Sequence, residues 1–196
     1  MQQRSQETRE RLLQASLACF AEQGYDATGV AEICQRAGVS KGAFYHHFAS
    51  KQALFLALLD DWLGRLDAQM AAHRQGVSSA DEGLRAMAAT FQQVFQDASG
   101  KLPMFLEFWS KAARDPVVWE ATMAPFRRYE QLFSGLIEGG IAEGSFKPID
   151  VSTAARTLIA LAVGLLLQSV LDPTGVDWSQ VAEDSVALLM DGLVRS

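Results

Sequence analysis

Apolar residues recur along this chain at three- and four-residue intervals almost from its start. Leu12, Leu13, Ala15, Ser16, Cys19 and Phe20 share one stripe, which predicts a first helix over about Ser5–Gln23. Gly24 follows at the place where a helix commonly closes on a left-handed residue. Thr28 is placed to cap a short second helix over about Gly29–Arg36, with Val30, Ile33 and Ala37 facing inward. Gly38 breaks that helix, Val39 reads as an apolar plug, and Ser40 is placed to cap a third over about Lys41–His47.

The later pattern is of longer helices. Ser50 caps a fourth, reaching about Arg74, and Ser79-Ala80-Asp81-Glu82 is a capping box that opens a fifth, predicted to run to Asp97 and to end at Ser99-Gly100. Pro103 suits the first turn of a sixth helix to about Ala113. Asp115-Pro116 opens a seventh, which Pro125 is expected to break or kink before it resumes to about Glu138; Gly139-Gly140, Gly144 and Pro148 read as a loop. Asp150 and Asp177 cap an eighth helix to Leu171 and a ninth over Trp178–Val194. No run of alternating β-branched residues intervenes, so the expected fold class is all-α, with about nine helices. Three short ones form a head in residues 1–50, a shared strut follows over about 51–74, and residues 75–196 form a larger body.

Charge modifies this picture. The chain carries a net charge of −6, which at first sight argues against a nucleic-acid partner. Its distribution argues otherwise: residues 1–55 hold six Lys/Arg and five Asp/Glu, a net +1, against eleven and eighteen in residues 56–196, a net −7. That suits a DNA-binding head on an acidic body. The two cysteines, Cys19 and Cys34, sit at apolar helix positions without metal-like spacing to histidine, so neither a metal nor a disulfide is expected. With a polar, charged N-terminus, this fits a protein of the reducing cytoplasm. The longest apolar run, Leu158–Leu167, is shorter than the ~20 residues of a membrane span and reads as a buried helix, with no membrane partner expected.

Residues 28–48 concentrate the chemistry. Two short helices joined by a glycine turn form a helix-turn-helix, which sets its second helix into the DNA major groove. Ile33, Ala37, Val39, Phe44 and Phe48 supply the apolar interior. Lys41, Gly42, Ala43, Tyr45 and His46 face outward: the lysine for a phosphate or guanine edge, the small pair for close backbone approach, the phenol for a phosphate or a thymine methyl. Lys51 is a further phosphate partner, and the amides beside Thr28 and Ser40 suit phosphate oxygens. Each position alone reads more readily as solvated surface; their joint arrangement makes the case.

With these residues in place, the chain resembles the N-terminal domain of the tetracycline-repressor (TetR) family over residues 8–60. The tokens F-x-x-x-G-Y-x-x-T, A-G-V-S-K-G and Y-H-H-F-x-S-K carry the resemblance, while Gly29 stands where that family typically has Thr or a β-branched residue. The resemblance implies DNA contacts at Thr28, Ser40, Lys41, Gly42, Tyr45, His46 and Lys51. It also implies a homodimer on a palindromic operator, a small-molecule effector bound by the body, and repression as the commoner mode; an activator or a ligand-insensitive architectural binder is the alternative.

Dimerisation is expected of the last two helices. The eighth offers Ala154, Ala155, Leu158, Ile159, Ala162, Leu165 and Leu166, and the ninth Val181, Val186, Leu188, Leu189 and Leu193. The alternative reading is intrachain core. Met104, Phe105, Phe108 and Trp109, then Trp119 and Met123, then Phe126, Tyr129 and Phe133, suit a pocket for an apolar effector or, equally, ordinary core packing. Glu107 within MFLEFW reads as a surface carboxylate or as a partner for a cationic ligand. No GxSxG, HExxH, GxxxxGK[ST] or GxGxxG occurs, so neither an enzyme nor a cofactor is expected.

Overall fold

A computed structural model describes residues 2–88 and 102–194. Among these the chain forms nine helices: α1 Gln2–Ala27, α2 Val30–Ala37, α3 Lys41–His47, α4 Lys51–His73, α5 Ala80–Ala88, α6 Leu102–Ala112, α7 Pro116–Glu143, α8 Val151–Leu171 and α9 Trp178–Leu193. Among the described residues an isolated bridge between Phe146 and Val194 is the sole extended pairing, with Lys147 N–H donating to Leu193 O at 2.9 Å. The predicted extension of the fifth helix to Asp97, and its end at Ser99-Gly100, lie outside the described residues.

Local signals set most helix starts. Ser40 Oγ accepts from Ala43 N–H at 3.1 Å, Ser50 Oγ from Ala53 N–H at 3.0 Å, and Asp150 Oδ1 from Thr153 N–H at 2.8 Å. Each satisfies an amide that the helix itself cannot pair. The start of α2 is different. Thr28 is buried and its hydroxyl donates back to Gly24 O at 2.8 Å, so Gly29 takes the cap position and contributes no side chain. This corrects the expectation that Thr28 caps the helix.

Two further expectations are corrected in α7. It runs unbroken through Pro125, and it continues through Gly139-Gly140 to Glu143. The acceptor that Pro125 leaves without its helical donor is the carbonyl of Ala121, an exposed residue. At Gly140 the ring of Phe146 lies where a Cβ would otherwise stand, so packing holds the helix across its weakest pair.

The chain divides into two compact units, Met1–Gly64 with Gly100–Thr122 and Arg65–Ser99 with Met123–Ser196. This differs from the expected boundary, since α6 groups with the head rather than with the body. In the first unit α1 packs on α2 and α6, around a core that includes Leu12, Cys19, Phe20, Ile33, Phe44, Phe55 and Phe108. Burying such side chains contributes about 1.5–3 kcal/mol each. The second unit has its own core of Leu84, Ile137, Phe146, Ala155, Leu158, Val186, Met190 and Leu193. By length and composition α8 is apolar enough to cross a membrane. Of the run Leu158–Leu167, Leu158 and Leu165 are buried while Val163 and Leu167 are exposed, which corrects the expectation of a helix buried throughout.

Candidate nucleic-acid interface

The helix-turn-helix is assembled from its turn outward. Gly38 adopts φ 63 and ψ 41 at the end of α2, and its N–H donates to Cys34 O and Gln35 O. A Cβ is disfavoured in this left-handed conformation, so the turn requires glycine. Arg11 of α1 bonds the carbonyls of Ala37 and, at 2.9 Å, Gly38, bringing a cation to the C-terminal end of α2. Ile33, Cys34, Ala37, Phe44 and Phe48 are buried beneath the motif.

With Phe44 turned inward at 0 % exposure, the other side of α3 is left to solvent. Ser40, Lys41, Gly42 and His46 are exposed, Ala43 is half-buried, and the Tyr45 ring is 57 % exposed. An exposed phenol beside a lysine, with two residues too small to hold a partner away, forms a row able to meet phosphates and base edges. His47 points the other way, half-buried beside Phe48, with Arg9 stacked over the Phe48 ring at 5.5 Å. Burial first, then His46 and Arg9, holds the His47 imidazole below the usual histidine range.

Thr28 and Lys51 stand apart from this row. Thr28 is 1 % exposed. The Lys51 ammonium donates to Tyr25 O at 2.8 Å, Thr28 O at 2.9 Å and Asp26 O at 3.4 Å, and lies 4.4 Å from the Tyr25 ring centroid. An ammonium has three donors, and here each has a carbonyl of the turn before α2. Both residues brace that turn. Burial lowers the Lys51 pKa, and burial with the carboxylates of Asp26 and Glu107 pushes the Tyr25 phenol up to about 12.

Glu107 completes the same turn, in neither of its two expected roles. Its Oε2 accepts from Tyr25 N–H at 2.9 Å and its Oε1 from Asp26 N–H at 2.8 Å. Nothing in the sequence near Glu107 signals this, because the partner amides lie some 80 residues earlier. Phe105 and Phe108 are also core residues of this unit. Phe108 meets Tyr25 edge-on at 5.2 Å, and Phe105 packs against Phe55 and Trp62 at 5.3 and 5.6 Å. Met104 is 2 % exposed, and Trp109 is half-buried in the same helix. Trp119 is 39 % exposed.

In the second unit Met123, Phe126, Tyr129 and Phe133 are half-buried along α7. Burial and the neighbouring Asp67 carboxylate raise the Tyr129 phenol above its ordinary range, and Arg128 pairs with Asp67 at 2.8 Å. Of the residues expected at a dimer face, Ala155, Leu158, Leu165, Val186 and Leu193 are buried within this chain, while Ile159, Ala162, Leu166 and Leu189 are half-buried. Leu188, expected at that face, is exposed at 77 %, and Val163, Leu167 and Leu171, which sequence reasoning did not single out, are exposed at 37, 40 and 75 %. The four-residue spacing of Val163, Leu167 and Leu171 along α8 was the signal available.

Residues 12–58 match the model of the tetR family of bacterial regulatory proteins, and residues 80–195 match the C-terminal model of the BetI-type transcriptional repressors. The chain is 31 % identical to the regulator BetI of Burkholderia thailandensis over 186 residues, 93 % of each chain. It is 26 % identical to the repressor KstR2 of Mycolicibacterium smegmatis, over 96 % of this chain and 91 % of that one. Among solved structures, the ketosteroid transcriptional regulator KstR2 of Mycobacterium tuberculosis superposes with a TM-score of 0.68 at 25 % identity, covering 96 and 95 % of the two chains.

Proposed function

Since the chain belongs to the tetR family of bacterial regulatory proteins and carries a C-terminal part of the BetI type, we propose that it acts as a homodimeric repressor of transcription. Like its relatives it is a DNA-binding transcriptional regulator and not an enzyme. The observation that carries the reading is the exposed row of Ser40, Lys41, Gly42, Tyr45 and His46 on a helix anchored by buried Phe44. This row, with Ala43, reads the major groove. Thr28 and Lys51 act behind it by fixing the turn that leads into α2.

One head makes too few base contacts to bind tightly. Two heads about 34–36 Å apart read a palindrome across one turn of DNA. The apolar stripe Val163, Leu167 and Leu171, with Leu188 of α9, supports dimerisation through α8 and α9, because a monomer would leave that stripe in water. Ile159, Ala162, Leu166 and Leu189 line the same contact. The effector is a small apolar molecule, supported by the half-buried Met123, Phe126, Tyr129 and Phe133 and by a relative described as a ketosteroid regulator. Its preference for one arrangement of the dimer, worth about 1–3 kcal/mol, lowers operator affinity about 5–150-fold. The protein works in the cytoplasm, where bacterial DNA lies.

Selection of bound sequences from a random DNA pool tests this reading. A recovered palindrome, bound tightly by the dimer and lowering transcription when placed in a promoter, is the expected result. Binding that is uniform across sequences and lost as salt rises points instead to an architectural protein.

A further inference from the structure

The turn between α1 and α2 is held from α6. Gly24, at φ 86 and ψ 165, ends the regular run of α1 and turns the next amides out of its ladder. Tyr25 N–H and Asp26 N–H both enter the Glu107 carboxylate, one to each oxygen. These are charge-assisted bonds to amides that would otherwise be orphaned, the chemistry of an N-cap supplied by a distant helix. A Cβ at residue 24 would stand 2.8 Å from Glu107 Oε2, so the glycine also makes room for the carboxylate. One helical turn further along α6, Lys111 pairs with the Asp26 side chain. Between them Phe108 packs against Tyr25.

The turn is thereby held on both sides, its amides by Glu107 and its carbonyls by Lys51. The helix after it has no such hold at its own start: α2 begins on Gly29 with no side-chain cap. The turn therefore sets how α2 starts, while Arg36 pairing with Glu22 and Gln23 donating to Glu32 tie the helix to α1 beyond it. Through the Gly38 corner, where Val39 N–H donates to Cys34 O at 3.0 Å, α3 follows α2.

We infer that Glu107 is a positioning residue for operator reading, a carboxylate on α6 that fixes where α2 and α3 present themselves. The inference rests on the reading of α3 as the DNA-contacting helix. It separates from a purely electrostatic role by sign. Removing a negative charge from the DNA-binding unit should strengthen attraction to phosphates; removing a positioning contact weakens specific binding.

The test is Glu107→Gln in the full chain, on a sequence selected from the random pool and on an unrelated duplex of equal length. The glutamine Oε1 keeps one amide bond, but its NH2 faces the other N–H, so the cap is half lost. The expected result is a tenfold or greater loss of specific affinity, with affinity for the unrelated duplex unchanged or slightly higher. Specific affinity within twofold of native, or tighter, overturns the inference alone. Failure of the native chain to discriminate between the two duplexes overturns the reading of α3 and the inference with it. Hydrogen exchange on the native protein needs no variant: slow exchange at the Tyr25 and Asp26 amides is expected, and free exchange there overturns the clasp.

Discussion

The rings of Phe55 and Phe108 are stacked, with centroids 4.1 Å apart and planes 16° from parallel. Phe55 belongs to α4 and Phe108 to α6, and Phe20 and Tyr25 of α1 lean on the Phe55 ring at 5.5 and 5.2 Å. This cluster makes α6 part of the DNA-binding unit. Phe108→Ala empties a fully buried site and should cost about 3–5 kcal/mol, read from urea unfolding of the full chain. A loss below about 1 kcal/mol would show that the cluster collapses without penalty and that α6 is not anchored by it.

Lys41 is exposed at the start of α3, and as a phosphate or guanine partner it should contribute a counterion-release term. For Lys41→Ala the expected outcome is weaker operator binding and, where the contact is to phosphate, a salt slope shallower by about 1. Stability should hardly move, because the residue lies outside the core. Unchanged affinity at all salt concentrations would remove Lys41 from the interface.

His47 gives the head a pH dependence whose sign can be worked out. Burial, His46 and Arg9 hold its folded pKa below the unfolded value near 6.5. Between those two values the unfolded chain binds more protons, so acid favours unfolding. Stability from this group is unaffected above pH 6.5, falls as the pH drops through the window, and levels off below the folded pKa. Denaturation of native and His47→Gln proteins from about pH 7.5 down to about pH 5 should therefore show a shallower decline in the variant. Parallel curves would mean that His47 titrates alike in both states.

Leu188 is 77 % exposed on α9, and Leu171 is 75 % exposed at the end of α8. If these cover a second copy, Leu188→Glu places a charge in an apolar contact and shifts the protein toward monomer. Sedimentation equilibrium measures the shift, and operator affinity should fall with it, since the two half-sites then bind independently. A native protein that sediments as a monomer, or a variant as dimeric as the native, would move the dimer contact elsewhere.

The proposed reading surface is largely legible in the sequence alone, and the reason is range. Helix periodicity, the Ser40 cap and the Gly38 corner act within four or five residues, so the span Lys41–His47 and its inward Phe44 come from local spacing. The same holds for the Asp150 and Asp177 caps of α8 and α9. Local rules misjudged Pro125 and Gly139-Gly140: α7 runs through both, and at Gly140 the packing of Phe146 outweighs intrinsic helix preference.

What the sequence by itself determined is the all-α pattern and the chemistry exposed on α3, because both depend on neighbours along the chain. What only the tertiary structure decided is the use of residues whose partners are far away. Thr28, expected as a cap, is a buried brace; Lys51, expected as a phosphate partner, donates to three carbonyls; and Glu107, expected as a surface acid or a partner for a cationic ligand, caps a turn some 80 residues earlier. A carboxylate, an ammonium and a hydroxyl take whichever donors and acceptors the fold leaves unpaired nearby. No local pattern announces where those orphaned groups will be.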